Sequence, residues 1–171
     1  GINDKSFNQL SYLGATTSVK KGYASSAEYL PAASPADYGP NLKKFVDKKC
    51  TYIIGVGFAL GDAIIASAEA NPTVKYAIVD DAGLKNFTTP IANLKGITFK
   101  TNENSFLAGY LAAGYSKTGV VATYGGMPFP TVTIFMDGFA KGVEYYNDVK
   151  GKSVKVLGWD PAKPSAGTMV G

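Results

Sequence analysis

Thr51-Tyr-Ile-Ile-Gly-Val-Gly-Phe-Ala-Leu-Gly-Asp-Ala-Ile-Ile65 decides the fold. Its first half is an apolar run rich in β-branched residues, the composition of a strand buried on both faces. Gly55 and Gly57 allow a sharp turn at the carboxyl end of that strand, and an apolar-striped helix follows. A second unit repeats the pattern: Tyr76-Ala-Ile-Val-Asp-Asp81 is a short apolar strand that ends in two carboxylates. Two neighbouring strand tips therefore present polar groups to one crevice, where open α/β sheets hold their ligands.

The rest of the chain is read outward from this centre. Asn3, Asp4 and Ser6 precede a helix expected from about Phe7 to Lys20, and any of the three suits its exposed first amides. Tyr23 to Leu30 alternates loosely enough to suggest a strand, and Asp37 opens a helix through Leu42, Phe45 and Val46. Gly96 to Lys100 is a further short strand. Asn102-Glu-Asn-Ser105 then caps a helix whose Gly109, Ala112, Ala113 and Gly114 permit close packing on a neighbour. Gly119 to Tyr124 is again apolar and is broken by Gly125-Gly-Met-Pro-Phe-Pro130. In the next helix Val132, Phe135, Met136, Phe139, Val143 and Tyr146 recur at helical spacing, and Ser153 to Trp159 makes the last strand. Strands alternating with helices imply an α/β fold: a parallel sheet with right-handed crossovers, flanked by helices.

Composition narrows the chemistry. The chain has 171 residues, 46% of them hydrophobic, enough for one good core or for one domain and part of another. Its net charge of +4 comes from scattered lysines, so no face points to nucleic acid. Histidine is absent, which removes the commonest general base and transition-metal ligand. The lone Cys50 cannot form an intramolecular disulfide. No stretch reaches the apolar length of a membrane span, and no signal-peptide pattern opens the chain. Gly1-Ile-Asn-Asp-Lys-Ser-Phe-Asn-Gln9 runs as a loop into a helix with no strand ahead of it, so the chain is expected to start inside a crossover unit.

Two classes of function remain. Gly55-x-Gly57-x-x-x-Gly61, with Asp80 closing the next strand, loosely mimics a dinucleotide fingerprint, which would make the protein an NAD(P)-dependent Rossmann-type enzyme. The glycine spacing is one residue off, and Phe58 would crowd a pyrophosphate. A hydrolase triad is excluded without histidine, and neither a Walker loop nor a metal-ligand spacing occurs. A binding module accounts for more residues. Phe7, Phe58, Met127 and Phe129 fall in loops or helix starts beside strand ends, accompanied by Asn3, Asp4, Asn8, Asp80 and Asp81. Rings with amides and carboxylates suit a ligand with a π face and polar edges. Packing over the sheet end is the alternative for the rings, and helix capping is the alternative for Asn3 and Asp4.

Asn3-Asp-Lys-Ser-Phe-Asn-Gln9, Asp37-Tyr38, Gly55-Val-Gly-Phe58, Ala77-Ile-Val-Asp80, Asn104-Ser-Phe-Leu-Ala-Gly109, Gly125-Gly-Met127, Gly138-Phe139 and Gly142 together resemble the basic membrane protein family. These are extracytoplasmic substrate-binding lipoproteins of ABC transporters, and the best understood bind nucleosides. The resemblance implies a type I periplasmic-binding-protein fold, two α/β lobes closing on a ligand. On that pattern the chain is truncated at both ends: residues 1–117 form a first lobe nearly complete but for its first strand, and residues 118–171 begin the second. The lipid-bearing cysteine would precede Gly1, and Cys50 does not match it.

Residue by residue, Phe7 resembles the aromatic that stacks on a purine, and Asn8 with one acid of Asp80-Asp81 resembles the groups that bind the base. Asp4, Phe58 and Met127 are expected in the same site. The implied partners are a nucleoside or similar polar aromatic molecule and a membrane permease, with no cofactor, and so truncated a chain could self-associate. A transcription regulator's effector lobe shares the fold but would need a DNA-binding headpiece.

Overall fold

The computed structural model describes residues 1–170; Gly171, the last residue of the expected second lobe, lies outside them. The chain divides into two compact units, Gly1–Thr98 and Phe99–Gly171. This division differs from the expected lobes 1–117 and 118–171, because the helix at 101–115 packs with the unit that follows it.

In the first unit, α1 (Phe7–Lys20) and α2 (Tyr38–Asp47) precede β1 (Tyr52–Val56), α3 (Gly61–Ala70) and β2 (Lys75–Val79). A small hairpin, β3 (Leu84–Lys85) and β4 (Thr89–Pro90), leads to β5 (Leu94–Ile97). The sheet is parallel with order β1-β2-β5. Central β2 buries Tyr76, Ala77, Ile78 and Val79, as a strand covered on both faces must. Edge strand β1 departs from expectation. It buries Ile53 and Gly55 but leaves Tyr52 and Ile54 exposed, because α1, which lies against it, buries none of its own residues. The core lies on the other face, where Leu42 of α2, Ile64 and Ala68 of α3 and Ile53, Tyr76 and Ile78 of the sheet pack together.

Polar groups tie the layers. The Tyr76 and Ser67 hydroxyls lie 2.9 Å apart. The Asn93 amide donates to the carbonyls of Ala68, Asn71 and Val74 at 3.0, 3.1 and 2.9 Å, which ties the approach to β5 to the end of α3 and the turn that follows it.

Tyr23 to Leu30 forms no strand and joins no sheet among the described residues. β-propensity alone does not make a strand without a neighbour to complete its ladder. The strand expected at Gly96–Lys100 sits earlier, at Leu94–Ile97, where pairing of Tyr76 with Leu94 sets its register.

The second unit comprises α4 (Thr101–Tyr115), β6 (Val120–Ala122), α5 (Pro130–Lys150) and β7 (Lys155–Leu157), with β6 and β7 parallel. Helices α4 and α5 approach so closely that a Cβ on Gly109 would strike the backbone of Phe139, and one on Gly142 the backbone of Phe106. Asn102 to Ser105 lie within the first turn of α4 rather than ahead of it. Ser105 Oγ donates instead to the Phe135 carbonyl of α5 at 2.5 Å. Helix α5 ends at Gly151, whose φ of 60° is the left-handed stop that glycine favours. Met136, Ala140 and Trp159 form this unit's small core, and the Trp159 indole donates to Asp137 at 2.8 Å.

Candidate functional site

Where α1 begins, the chain is built around Asp4. Its Oδ1 accepts the amides of Ser6 and Gln9 at 2.9 and 3.0 Å. Its Oδ2 accepts the amide and the side-chain Nδ2 of Asn8 at 3.0 and 2.7 Å. Those amides are the ones a helix start leaves without partners. The bonds from Gln9 and Ser6, then from Asn8, hold the Asp4 carboxyl well below the usual carboxylate range. Asp4 is therefore the cap of α1, with both oxygens occupied, and Asn8 commits one amide hydrogen to it. Phe7, between these partners, is 43% exposed.

The other cluster forms at the strand tips. The Gly57 amide donates to the Val79 carbonyl at 3.0 Å, which joins the ends of β1 and β2. Gly57 turns at φ 100°, and Phe58 to Leu60 form one tight turn before α3. Phe58 is 36% exposed there. Asp80 adopts φ 67°, a left-handed conformation that Asp tolerates better than most residues. Its amide donates to the Ile97 carbonyl at 2.8 Å.

The two acids behave differently. Asp81 Oδ1 accepts the Gly83 amide at 2.7 Å, while its Oδ2 lies 3.5 Å from where a Gly61 Cβ would stand, at the start of α3. No described residue gives the Asp80 carboxylate a hydrogen bond or an ion pair. Burial first, and then the charge of Asp81, pushes the Asp80 carboxyl above its ordinary value.

Asp4 and Asn8 are thus brought into contact, and so are the tip of β2 and the turn that carries Phe58. Met127 belongs to the second unit, in the turn after β6, where its carbonyl accepts the Phe129 amide at 2.8 Å and it is 50% exposed. Two clefts lie away from the strand tips: one of about 450 Å³ between α2 and α3, and one of about 340 Å³ between α4 and α5. Neither contains a residue expected to bind ligand. The brace around Asp80, formed by Gly61, Gly83 and Gly96, went unread in the sequence. Its signal was Asp81-Ala-Gly83, the spacing of a side-chain-closed turn with glycine at its left-handed position.

The dinucleotide reading of the three glycines is not favoured. Gly55 lies inside β1 and makes room for Ile64, whose Cδ1 would sit 2.9 Å from a Cβ at Gly55; Gly57 makes the turn; Gly61 lies beside Asp81. Each glycine thus has a local reason, packing at Gly55 and Gly61 and backbone conformation at Gly57.

A parallel sheet whose tips carry glycine turns, a half-exposed ring and a carboxylate without a bonding partner among the described residues is the arrangement at which open α/β sheets hold small molecules. The chain belongs to the Bmp family, ABC transporter substrate-binding protein PnrA-like, whose family profile matches residues 1–163. It is 36% identical over 150 residues to Basic membrane protein A of Borreliella burgdorferi, covering 87% of this chain and 43% of that relative. It is 34% identical over 149 residues to the ABC transporter nucleoside-binding protein BmpA of Lactococcus lactis, covering 84% of this chain and 40% of that one. The ABC transporter system solute-binding protein of Aeropyrum pernix K1 superposes with a TM-score of 0.69 at 27% identity, over 88% of this chain and 42% of its own. The chain thus spans 40% to 43% of the length of these curated relatives. The family and the α/β fold that the sequence resemblance implied are both established by these matches.

Proposed function

We propose that this chain supplies one wall of the ligand site in an extracytoplasmic substrate-binding component of an ABC transporter, and that the ligand is a nucleoside, with a purine base preferred. Phe7 stacks on the base, Asn8 and Asp80 hydrogen-bond its edge, and Phe58 lines the same wall. Asp4 acts one step removed, holding Phe7 and Asn8 at the helix start. Met127, in the second unit, is proposed as a ligand contact separately and is tested by its own substitution. The protein's partner is the membrane permease, and its anchor is a lipid carried by the full-length form.

The observation that carries this reading is the pairing of Phe7, a half-exposed ring on a helix start fixed by Asp4, with membership of a substrate-binding family. A ring needed only for the core would be buried. Function then consists of capture and release without bond making: a ligand that favours one conformation shifts the population toward it, and the permease reads that shift.

Calorimetry of the full-length protein with inosine, followed by chromatography of the recovered ligand, tests the reading. Saturable binding with the nucleoside returned intact supports it. Turnover, or no binding to any nucleoside, overturns it.

A further inference from the structure

Two adjacent acids close β2, and the geometry points to a division of labour: we propose that Asp81 is a positioning residue that braces the strand tip so that Asp80 offers its carboxylate to the ligand. This inference rests on the functional reading above. It also separates two residues that the sequence alone leaves interchangeable.

Asp80 is held in the left-handed region at φ 67°. A non-glycine residue stays there only when its surroundings fix it. Upstream, its own amide is pinned to the Ile97 carbonyl at 2.8 Å. Downstream, Asp81 bridges back to Ile97 and closes a turn by accepting the Gly83 amide at 2.7 Å, with Gly83 itself at φ 65°. That turn lies hard against β5, since a Cβ on Gly96 would collide with the Ala82 backbone. The second Asp81 oxygen stands over the start of α3 at Gly61, where the partial positive charge of a helix beginning favours an anion. One Asp81 oxygen thus closes the turn and the other faces the start of α3, whereas the Asp80 carboxylate has no bonding partner among the described residues. A carboxylate already bonded to its own turn gains little from a ligand; one without a partner gains most.

The test is calorimetric titration of the full-length protein with inosine, with thermal unfolding recorded for each variant. Asp81→Ala removes the acceptor that closes the turn and is expected to weaken binding about tenfold. Asp81→Asn keeps an oxygen for the Gly83 amide and is expected to stay within about twofold of the unsubstituted protein. In the Asp80→Gly background, which keeps the left-handed backbone but has no side chain to present, Asp81→Ala should cost no more than about twofold, because a residue acting through Asp80 has nothing left to position. Should Asp81→Ala not fold, Asp81→Ser takes its place, its hydroxyl closing the turn more weakly, with the same ordering expected. Loss of affinity in Asp81→Asn as large as in Asp81→Ala, or an undiminished cost in the Asp80→Gly background, would show direct contact and overturn the inference. Binding untouched by Asp81→Ala overturns it too and leaves the site reading standing. No binding of inosine by the unsubstituted protein overturns both.

Discussion

Replacing Phe7 with alanine separates ligand recognition from folding. The ring is 43% exposed and its helix buries none of its residues. Fully burying a phenylalanine contributes about 1.5–3 kcal/mol, so truncating a half-buried one costs the fold about 1 kcal/mol, a few degrees in melting temperature. A base stacked on the ring loses more: alanine substitution at such platforms costs about 1–3 kcal/mol, or roughly 5- to 150-fold in Kd. Tyr12→Ala, on the same helix, is the control. Its ring packs edge-on against Tyr29 at 5.0 Å, so its loss forfeits an aromatic contact of about 0.5–1.5 kcal/mol and some buried area. Tyr12→Ala should therefore lower the melting temperature at least as much as Phe7→Ala and leave Kd within about twofold. Calorimetry with inosine and circular dichroism melts on the full-length protein measure both quantities. Equal affinities for the two variants, or a Phe7→Ala protein that binds like the parent, would refute Phe7 as the stacking residue.

Other substitutions probe the same structure. With its folded pKa depressed, Asp4 contributes stability that is present above the unfolded carboxylate value and lost as pH falls through the folded one. Asp4→Ala should fray α1 at pH 7 and flatten the acid limb of a pH-melt series; an unchanged acid limb would remove Asp4 as the cap. For Asp80 the sign reverses. Its raised pKa means stability falls as pH rises from the unfolded value through the folded one and stays reduced above it. Asp80→Asn, which tolerates the left-handed backbone, should thus melt higher than the parent at pH 7 while binding inosine more weakly; a lower melting temperature contradicts this. Gly142→Ala drives a methyl into the α4 backbone and should cost about 1–3 kcal/mol, occasionally more, in denaturant titration; an unshifted midpoint would mean the helices lie further apart. Tyr76→Phe removes the hydroxyl paired with Ser67 and should cost about 1 kcal/mol by the same assay.

How far the sequence could be read depended on whether the deciding forces were local. Helix α1 falls where capping signals and composition put it, and α5 starts at a proline and stops at a glycine with a clear period between. The buried run of β2 was equally plain. Tyr23–Leu30 misled because strand formation depends on a partner that composition cannot supply. The hairpin at 84–90 escaped notice because Asn86 and Phe87 both take positive φ there, and Asn-Phe lacks the glycine that normally signals such a turn. At the site, the residue types were legible while their roles were not. Asp4 suited both cap and contact by residue type, and its four hydrogen bonds decide for the cap. Asp80 and Asp81 became distinguishable only through the backbone conformation of one and the bonded turn of the other. The family resemblance was specific because its motifs, scattered along nearly the whole chain, sit at caps, at strand tips and at the close contact of α4 with α5, where few residue types serve.

Hydrogen–deuterium exchange of the full-length protein with and without saturating inosine tests most directly whether the strand tips and the start of α1 hold the ligand. Added protection is expected over residues 4–9, 55–60 and 78–83. Protection confined to the groove between α2 and α3, or no change at all, would contradict it.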